Sequence, residues 1–285
     1  MPSNLSTNRS FKLALAQMRV EGGAQPANLA RAEKFIAEAR QAGADVVLLP
    51  ETLDIGWTHG AARELAGEIP HGEACTRLAA AAKQHGIFVC AGLVERAGAR
   101  LFNSAVLIDS QGKLLLQHRK LNELDIAHDL YATGDRLGVV DTPLGRVGVM
   151  ICADGFARSQ VVSRALALMG AEVILSPCAW ARPAEHDNAR DPYGQLWLDN
   201  YCPVASDFGV WIAGCSNVGW ITDGPWRGRK CIGNSLVIGA DGREKLRGPY
   251  GVEAEKMLMV TVTPARRGRG DGSAIASQLP RAAIK

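Results

Sequence analysis

Two kinds of hydrophobic pattern follow each other along this chain. Short runs that are wholly apolar or alternating predict buried strands, whereas apolar residues spaced three or four apart predict amphipathic helices. Strands are predicted at residues 11–17, 45–50, 87–95, 102–109, 113–118, 147–151, 171–177, 210–215, 231–238, 243–246 and 256–262. Helices are predicted at residues 27–42, 73–85, 158–169 and 193–206, the last broken or bent at Pro203. The order strand, helix, strand at the start is typical of an α/β domain.

One of these strands, at residues 147–151, ends directly before Cys152. The chain then breaks at Ala153-Asp154-Gly155, ahead of the next predicted helix. A thiol at a strand-to-helix turn is held rigidly, and backbone N–H groups of the turn lie near it to receive a developing negative charge. Cysteine is also among the most buried residue types, so this position alone favours a core thiol, and partners elsewhere must decide.

Composition narrows the class of protein. The chain has 285 residues, 47% hydrophobic and 21% charged, which is compatible with one large folded domain. The net charge is +3, with arginines clustered only at residues 266–269, so we expect no nucleic-acid partner. No apolar run approaches the ~20 residues of a membrane span, and residues 1–10 lack the apolar core of a signal peptide. We therefore expect no membrane partner.

The cysteines and histidines indicate neither a disulfide scaffold nor a metal site. Seven cysteines stand singly, and six histidines show no paired ligand spacing. We therefore expect a reducing, cytoplasmic location, no cofactor and no metal. A small molecule is the expected partner.

Three predicted strands end in a residue with catalytic potential, namely Glu51, Lys120 and Cys152. Ligands of α/β sheets bind at the carboxyl ends of strands, so these three side chains could converge. Together they comprise a carboxylate base, an ammonium to stabilise an oxyanion, and a thiol nucleophile. A single glutamate or lysine of this kind is more often a solvated surface residue, so the combination carries the hypothesis.

The segments around these residues resemble the nitrilase (carbon–nitrogen hydrolase) superfamily over residues 11–264. The motifs are Leu48-Leu-Pro-Glu51-Thr, His118-Arg-Lys120-Leu, Gly148-Val-Met-Ile-Cys152-Ala-Asp-Gly-Phe156 and Gly170-Ala-Glu-Val-Ile-Leu-Ser-Pro177. The resemblance implies a four-layer α-β-β-α sandwich of two stacked mixed sheets, forming one domain over residues 11–264. It also implies a homodimer or higher homo-oligomer, paired through the helix after the nucleophile. We expect residues 1–10 to be flexible and residues 265–285 to be a tail or a dimer arm.

The resemblance also assigns catalytic roles by position. Glu51 corresponds to the general base, Lys120 to the oxyanion-stabilising lysine and Cys152 to the nucleophile, with the N–H of Ala153 as a further oxyanion donor. The superfamily usually has a second glutamate between the lysine and the nucleophile, and no residue of 120–134 matches it unambiguously. Asp129 is our first choice for this role and Glu123 our second.

The implied reaction is hydrolysis of a small amide through a Cys152 thioester, which gives a carboxylic acid and ammonia or an amine. The triplet Cys152-Ala153-Asp154 resembles amide-cleaving members, whereas nitrile-cleaving members tend to have Trp-Glu after the cysteine. A nitrile hydrolase or an acyl transferase with the same three residues is the alternative enzyme. A catalytically silent binding protein on the same fold is the alternative of another class.

Loops over the strand ends are expected to bind the substrate, and the candidates are Trp57, Asn103 and Trp180. Both tryptophans are also compatible with core packing, and Asn103 with a structural role. Further candidates around the pocket are Asn217, Trp220, Trp226 and Arg227. Three charged residues could contact a charged substrate group, but we favour solvated surface for them: Asp187, Arg190 and Asp191.

Overall fold

The computed structural model of this chain describes residues 10–264. Its strands are β1 (Phe11–Gln17), β2 (Val46–Leu48), β3 (Phe88–Ala97), β4 (Arg100–Ile108), β5 (Leu114–Arg119), β6 (Val139–Thr142), β7 (Gly145–Val149), β8 (Val173–Cys178), β9 (Ala181–Arg182), β10 (Trp211–Ser216), β11 (Val218–Trp220), β12 (Lys230–Ile232), β13 (Leu236–Ile238), β14 (Glu244–Arg247) and β15 (Lys256–Val262). Its helices are α1 (Gln25–Gln41), α2 (Ala62–Leu65), α3 (Glu73–His85), α4 (Val161–Leu168) and α5 (Gln195–Phe208). Short 3-10 turns lie at Asp125–Ala127, Cys152–Phe156 and Arg158–Gln160. The predicted flexible residues 1–9 and the predicted tail at 265–285 lie outside the described residues.

The strands form two six-stranded mixed sheets and one small sheet. The first sheet has the order β15-β1-β2-β3-β4-β5, and the second has the order β14-β13-β10-β8-β7-β6. In each, three central strands are parallel, namely β1, β2 and β3 in the first and β7, β8 and β10 in the second. The small sheet has the order β11-β12-β9.

The two large sheets stack face to face. Leu15 and Leu48 of the first sheet share one buried apolar cluster with Val149 and Leu175 of the second. A second cluster joins the other face of the first sheet to α1 and α3, and a third joins the second sheet to α4 and α5. Because each large sheet is covered on both faces, its central strands are largely apolar. The predicted four-layer α-β-β-α sandwich is confirmed.

Most predicted elements are present with ends shifted by a few residues. Helix α5 runs without a break through Pro203, so a break at this residue is wrong. The predicted strand at 231–238 is two strands, because Gly233 and Asn234 both adopt a left-handed φ of about 60° between them. The strands β6, β9 and β11 were not predicted, since each is only two to four residues long. Within residues 10–264 no helix is long and apolar enough to cross a membrane.

The ends of strands from both sheets meet at one place. β2 ends at Leu48, β5 ends at Arg119 and β7 ends at Val149, each one to three residues before a predicted catalytic residue. The backbone N–H of Glu51 donates a hydrogen bond to the carbonyl of Cys178, at 3.2 Å. This bond links the first sheet to the end of β8 in the second, and so brings loops of both sheets to one site.

Candidate active site

Glu51 is buried at the first of these strand ends, with 1% of its surface exposed. Its Oε1 accepts hydrogen bonds from Nδ2 of Asn103 at 2.6 Å and from Nζ of Lys120 at 2.7 Å. Its backbone passes so close to Gly92 that a Cβ there would lie 2.5 Å from the Cα of Glu51. The carboxylate is thus fixed by two donors and by a neighbouring strand that tolerates no side chain at this point.

Lys120 is equally buried, with 1% of its surface exposed. Burial acts to lower its pKa, but the charges of Glu51 and Glu123 outweigh burial and hold the pKa of Lys120 well above its usual range. Its backbone N–H donates to the carbonyl of Asn103 at 2.9 Å, which continues the β4–β5 pairing past the end of β5. The ammonium is therefore charged at neutral pH and has a fixed direction.

Cys152 is half-buried at the start of a 3-10 turn, and its backbone has a left-handed φ of 42°. A left-handed conformation costs a non-glycine residue about 1–3 kcal/mol and is found mostly at functional sites. The backbone N–H of Cys152 donates to Oγ of Ser176 at 3.1 Å. A contact with the Cys178 side chain, burial and the charge of Glu51 together raise the pKa of Cys152 well above its usual range, against Lys120. The thiol is accordingly protonated at rest and needs a base.

Asp154 joins the turn of Cys152 to the loop of Lys120, and it is fully buried. It accepts hydrogen bonds from the backbone N–H groups of Ile151 at 2.9 Å, Leu121 at 3.0 Å and Asn122 at 2.8 Å. Its Oδ2 also lies 2.8 Å from Nε2 of His118. Burial acts to raise its pKa, but His118 and the backbone donors outweigh burial, so the pKa of Asp154 is lowered. In the sequence, Asp154 was only part of the triplet that favours amides, and its role in linking the two loops was not predicted.

The acidic neighbour of Lys120 is Glu123, with its Oε2 at 3.5 Å from Nζ of Lys120. Our first choice, Asp129, is wrong in position: it is exposed, and its backbone carbonyl accepts a hydrogen bond from Arg63 at 3.0 Å. The 3-10 turn at 125–127 carries the chain away to the surface, whereas Glu123 precedes that turn and faces inward. Burial raises the pKa of Glu123 to about 7, although Lys120 acts against this.

A cavity of about 210 Å³ lies over these groups. Glu51, Lys120, Cys152 and Ala153 all contribute to its wall, so the structure brings the predicted residues together. The N–H of Ala153 lies in the first residues of the 3-10 turn, where a backbone donor has no acceptor within the turn.

The remaining wall of the cavity is largely aromatic. The predicted Trp57 and Trp180 line it, as does Trp226. Residues of the wall that were not predicted are Leu124, Phe156, Ala179, Ala181, Arg182, Tyr193, Leu196, Trp197 and Arg229. Tyr193 and Trp197 belong to the α5 region, which was predicted only as a helix, and nothing in the sequence placed this helix against the cavity.

Other candidates lie away from the cavity. Asn103 is fully buried, donates a hydrogen bond to Glu51 and is absent from the cavity wall. Asn217 is also buried and is absent from the wall. Trp220 and Arg227 are exposed. The predicted surface character of Asp187, Arg190 and Asp191 agrees with their exposed side chains, although Asp191 pairs with Arg182 of the cavity wall. Within residues 10–264 there is no group of three or more His, Cys, Asp or Glu side chains placed to hold a metal ion.

Comparison with known proteins agrees with this fold. The family model for carbon–nitrogen hydrolases matches residues 12–269. The chain therefore belongs to the carbon–nitrogen hydrolase family, within the nitrilase superfamily, and is an enzyme of that family. The predicted resemblance is confirmed.

Among curated relatives, the chain is 33% identical over 219 residues to an omega-amidase NIT2 of Xenopus tropicalis, covering 71% of this chain and 78% of that protein. It is 37% identical over 177 residues to a nitrilase of Pyrococcus abyssi, covering 60% of this chain and 66% of that protein. The amidase and nitrilase branches of the family are thus both represented.

Solved structures share the fold. A carbon–nitrogen hydrolase of Helicobacter pylori G27 has a TM-score of 0.79 at 21% identity, covering 90% of each chain. A cysteine-to-alanine variant of an amidase from Nesterenkonia has a TM-score of 0.76 at 19% identity, covering 99% of this chain and 98% of that chain. The two-sheet sandwich of residues 10–264 is accordingly a fold shared with solved structures.

Proposed function

We propose that this enzyme hydrolyses the carbon–nitrogen bond of a small amide, giving a carboxylic acid and ammonia or an amine. The observation that carries the proposal is the buried pair of Glu51 and Lys120, 2.7 Å apart, in the wall of the cavity that also contains Cys152. A buried ion pair is costly to maintain for stability alone, which favours a chemical role for this one.

The first half-reaction forms a thioester. Glu51 takes the proton of the Cys152 thiol, whose raised pKa keeps it protonated until substrate arrives. The thiolate attacks the amide carbonyl carbon, and the resulting oxyanion is stabilised by Lys120 and the N–H of Ala153. The tetrahedral intermediate collapses when the carbon–nitrogen bond breaks, and the proton held by Glu51 passes to the departing nitrogen.

The second half-reaction consumes one water molecule. Glu51 takes a proton from water, and the hydroxide adds to the thioester carbonyl carbon. The resulting second oxyanion is again stabilised by Lys120 and the N–H of Ala153. When the carbon–sulfur bond breaks, the carboxylic acid leaves, and the thiolate regains the proton that Glu51 carries.

Two features support an amide over a nitrile as substrate. Asp154 follows Cys152 by two residues, as in amide-cleaving members, and its side chain is engaged by four hydrogen-bonding partners in the loops around the site. In addition, the omega-amidase of Xenopus tropicalis is matched over more of this chain than the Pyrococcus abyssi nitrilase. Nitrile hydrolysis and acyl transfer are the alternatives that an assay with both kinds of compound distinguishes.

The test is a panel of small amides and the matching nitriles, with ammonia release as the rate and intact mass as the probe of an acyl group on Cys152. Amide turnover with a thioester adduct on Cys152 supports the proposal. Turnover of nitriles alone would establish the nitrilase alternative, and a requirement for hydroxylamine or another acceptor would establish acyl transfer. No ammonia and no adduct with any compound would contradict an enzymatic role.

The matched control uses two cysteines of the same chain. Cys152→Ala should abolish turnover and remain folded, since the side chain is half-buried and small. Cys202 is also half-buried but lies on α5, away from the cavity wall, so Cys202→Ala should keep full turnover. Loss of turnover in both variants would indicate damage to the fold rather than removal of a nucleophile.

We also propose that the enzyme is a homodimer or higher homo-oligomer that pairs through α4. Val161 and Leu168 are 59% and 57% exposed, and seven residues apart they share one helix face. Leu168→Glu should shift the sedimentation coefficient toward that of a monomer, whereas Leu65→Glu, at an exposed leucine of α2, should not. An unchanged sedimentation coefficient for Leu168→Glu would contradict the α4 interface.

Finally, we propose a cytoplasmic location. All seven cysteines are free, and five of them are buried. Free thiols of this number are usual in a reducing compartment. Fractionation of the native host with an antibody against the chain would test this, and recovery outside the cytoplasm would contradict it.

A further inference from the structure

Two arginines line the cavity in addition to the catalytic groups. Arg182 lies on β9 and Arg229 directly precedes β12, and these strands are antiparallel neighbours in the small sheet. Lys230 is the register partner of Arg182, so Arg229 lies one residue away from the pairing position. The small sheet thus presents two guanidinium groups from adjacent strands to the same cavity.

The two guanidinium groups differ in their charge partners. Arg182 forms an ion pair with Asp191, with 2.7 Å between its Nη2 and Oδ2 of the carboxylate. Among residues 10–264 no carboxylate lies within ion-pair distance of Arg229, whose side chain instead stacks over Trp226, with Cζ 4.3 Å from the ring centroid. Apart from Glu51, the wall contains no acidic residue, and Glu51 is already paired with Lys120. The cavity wall therefore has one positive charge without a carboxylate partner, that of the half-buried Arg229.

The rest of this wall is suited to a flat apolar group. Trp57 and Trp226 pack with ring centroids 4.9 Å apart, and Trp180 and Trp197 are stacked at 4.5 Å. Aromatic side chains prefer flat partners, which they contact by offset stacking or edge to face. A carboxylate on such a ligand would meet Arg229, since a guanidinium binds carboxylates in a planar, two-bond arrangement.

We infer that the substrate is an amide of an aromatic acid that carries an anionic group, and that Arg229 is the residue that recognises this group. Arg182, neutralised by Asp191, contributes to the same wall without adding net charge. The inference rests on the proposed amide hydrolysis for its reaction, but the binding of the anionic group by Arg229 can be measured without turnover.

The test compares 4-carbamoylbenzoate with 4-methylbenzamide, two probes of similar shape that differ in charge. Binding of each is measured by calorimetry in the Cys152→Ala background, alone and combined with Arg229→Gln or Arg227→Gln. Arg227 is an exposed arginine two residues away and is absent from the cavity wall, so it is the matched control. Turnover of both probes is then measured in the variants that retain Cys152.

Arg229→Gln should weaken binding of 4-carbamoylbenzoate about tenfold, as expected for loss of a charge-assisted hydrogen bond at a half-buried site, and leave 4-methylbenzamide within about twofold. Arg227→Gln should leave both probes within about twofold, because exposed charges are screened by salt. In the turnover assay, Arg229→Gln should raise KM for the anionic probe and leave kcat unchanged.

Equal binding of the two probes by the Cys152→Ala protein, or an equal effect of Arg229→Gln on both, would overturn the inference. Hydrolysis of other amides in that case would leave the proposed function intact. Conversely, selective binding of the anionic probe by an enzyme that hydrolyses no amide would support the anion site and contradict the proposed function.

Discussion

Replacement of Asp154 is the sharpest test of how the site is assembled. In Asp154→Asn one of the two oxygens becomes an NH₂ group, which cannot accept the hydrogen bonds that Oδ2 takes from the backbone N–H of Ile151 or from Nε2–H of His118. A buried donor left without an acceptor costs about 1–3 kcal/mol, so we expect a loss of about 2 kcal/mol in the free energy of unfolding. Asp154→Ala also removes the acceptor of Leu121 and Asn122, and we expect a loss of about 5 kcal/mol.

The assay is urea denaturation of both variants beside Asp207→Asn. Asp207 is a half-exposed surface partner of Arg164, and its loss should change the free energy of unfolding by less than about 0.5 kcal/mol. Because the turn of Cys152 is held through Asp154, ammonia release should also fall in both Asp154 variants at pH 7. An Asp154→Ala protein as stable as Asp207→Asn would refute the linking role.

The pH dependence of this effect has a definite sign. The pKa of Asp154 is lowered from its ordinary value of 3.8, so the folded state favours the ionised form. Its contribution to stability is therefore present above about pH 4 and is lost as the pH falls through the lowered pKa. The stability difference between the wild type and Asp154→Asn should stay constant from pH 5 to pH 7 and shrink only at acid pH. A difference that grows on acidification would contradict the assignment.

Three further perturbations test other parts of the site and core. Burial raises the pKa of Glu123 to about 7, so we expect an inflection near pH 7 in the profile of kcat/KM that is absent from Glu123→Gln; the same profile in both proteins would contradict this. Gly92→Ala would press on the backbone of Glu51, and we expect a loss of about 1–3 kcal/mol together with reduced turnover, measured by denaturation and ammonia release; wild-type values for both would contradict this contact. Burial raises the pKa of Asp54 from 3.8 to about 7, so its share of stability is full below pH 4 and about 4 kcal/mol is lost as the pH rises to 7. Asp54→Asn should gain stability relative to the wild type over this window in pH-dependent denaturation, and a constant difference would refute the shift.

Local patterns in the sequence predict much of this structure. Buried strands produce apolar runs, and the residue after each run is placed at the edge of a sheet by the strand itself. Glu51, Lys120 and Cys152 could be found in this way because each follows directly on its strand. The four layers also follow from the same runs, once the resemblance to a known family supplies their order.

The choice between Glu123 and Asp129 needed the tertiary structure. Both are acids in one loop without a repeating pattern, and only the 3-10 turn at 125–127 decides which of them faces Lys120. The role of Asn103 also needed the tertiary structure, because its position on β4 does not reveal that its side chain donates a hydrogen bond to Glu51. Side-chain direction in loops and at strand ends depends on partners that are distant in the sequence.

The sequence by itself determined most of the strands and helices and the three central reactive groups, because periodicity and residue type are local properties, whereas the stacking of two sheets came from the resemblance to a known family. Only the tertiary structure decided what surrounds them. The cavity wall is assembled from residues of α5, the small sheet and the loop after β2, and these residues are spread from Glu51 to Arg229 in the chain. Their meeting depends on long-range packing of the two sheets, and no pattern within one segment encodes it. The inference of an anionic substrate group also depends on the folded structure, since only the fold shows that Arg229 has no carboxylate partner among residues 10–264.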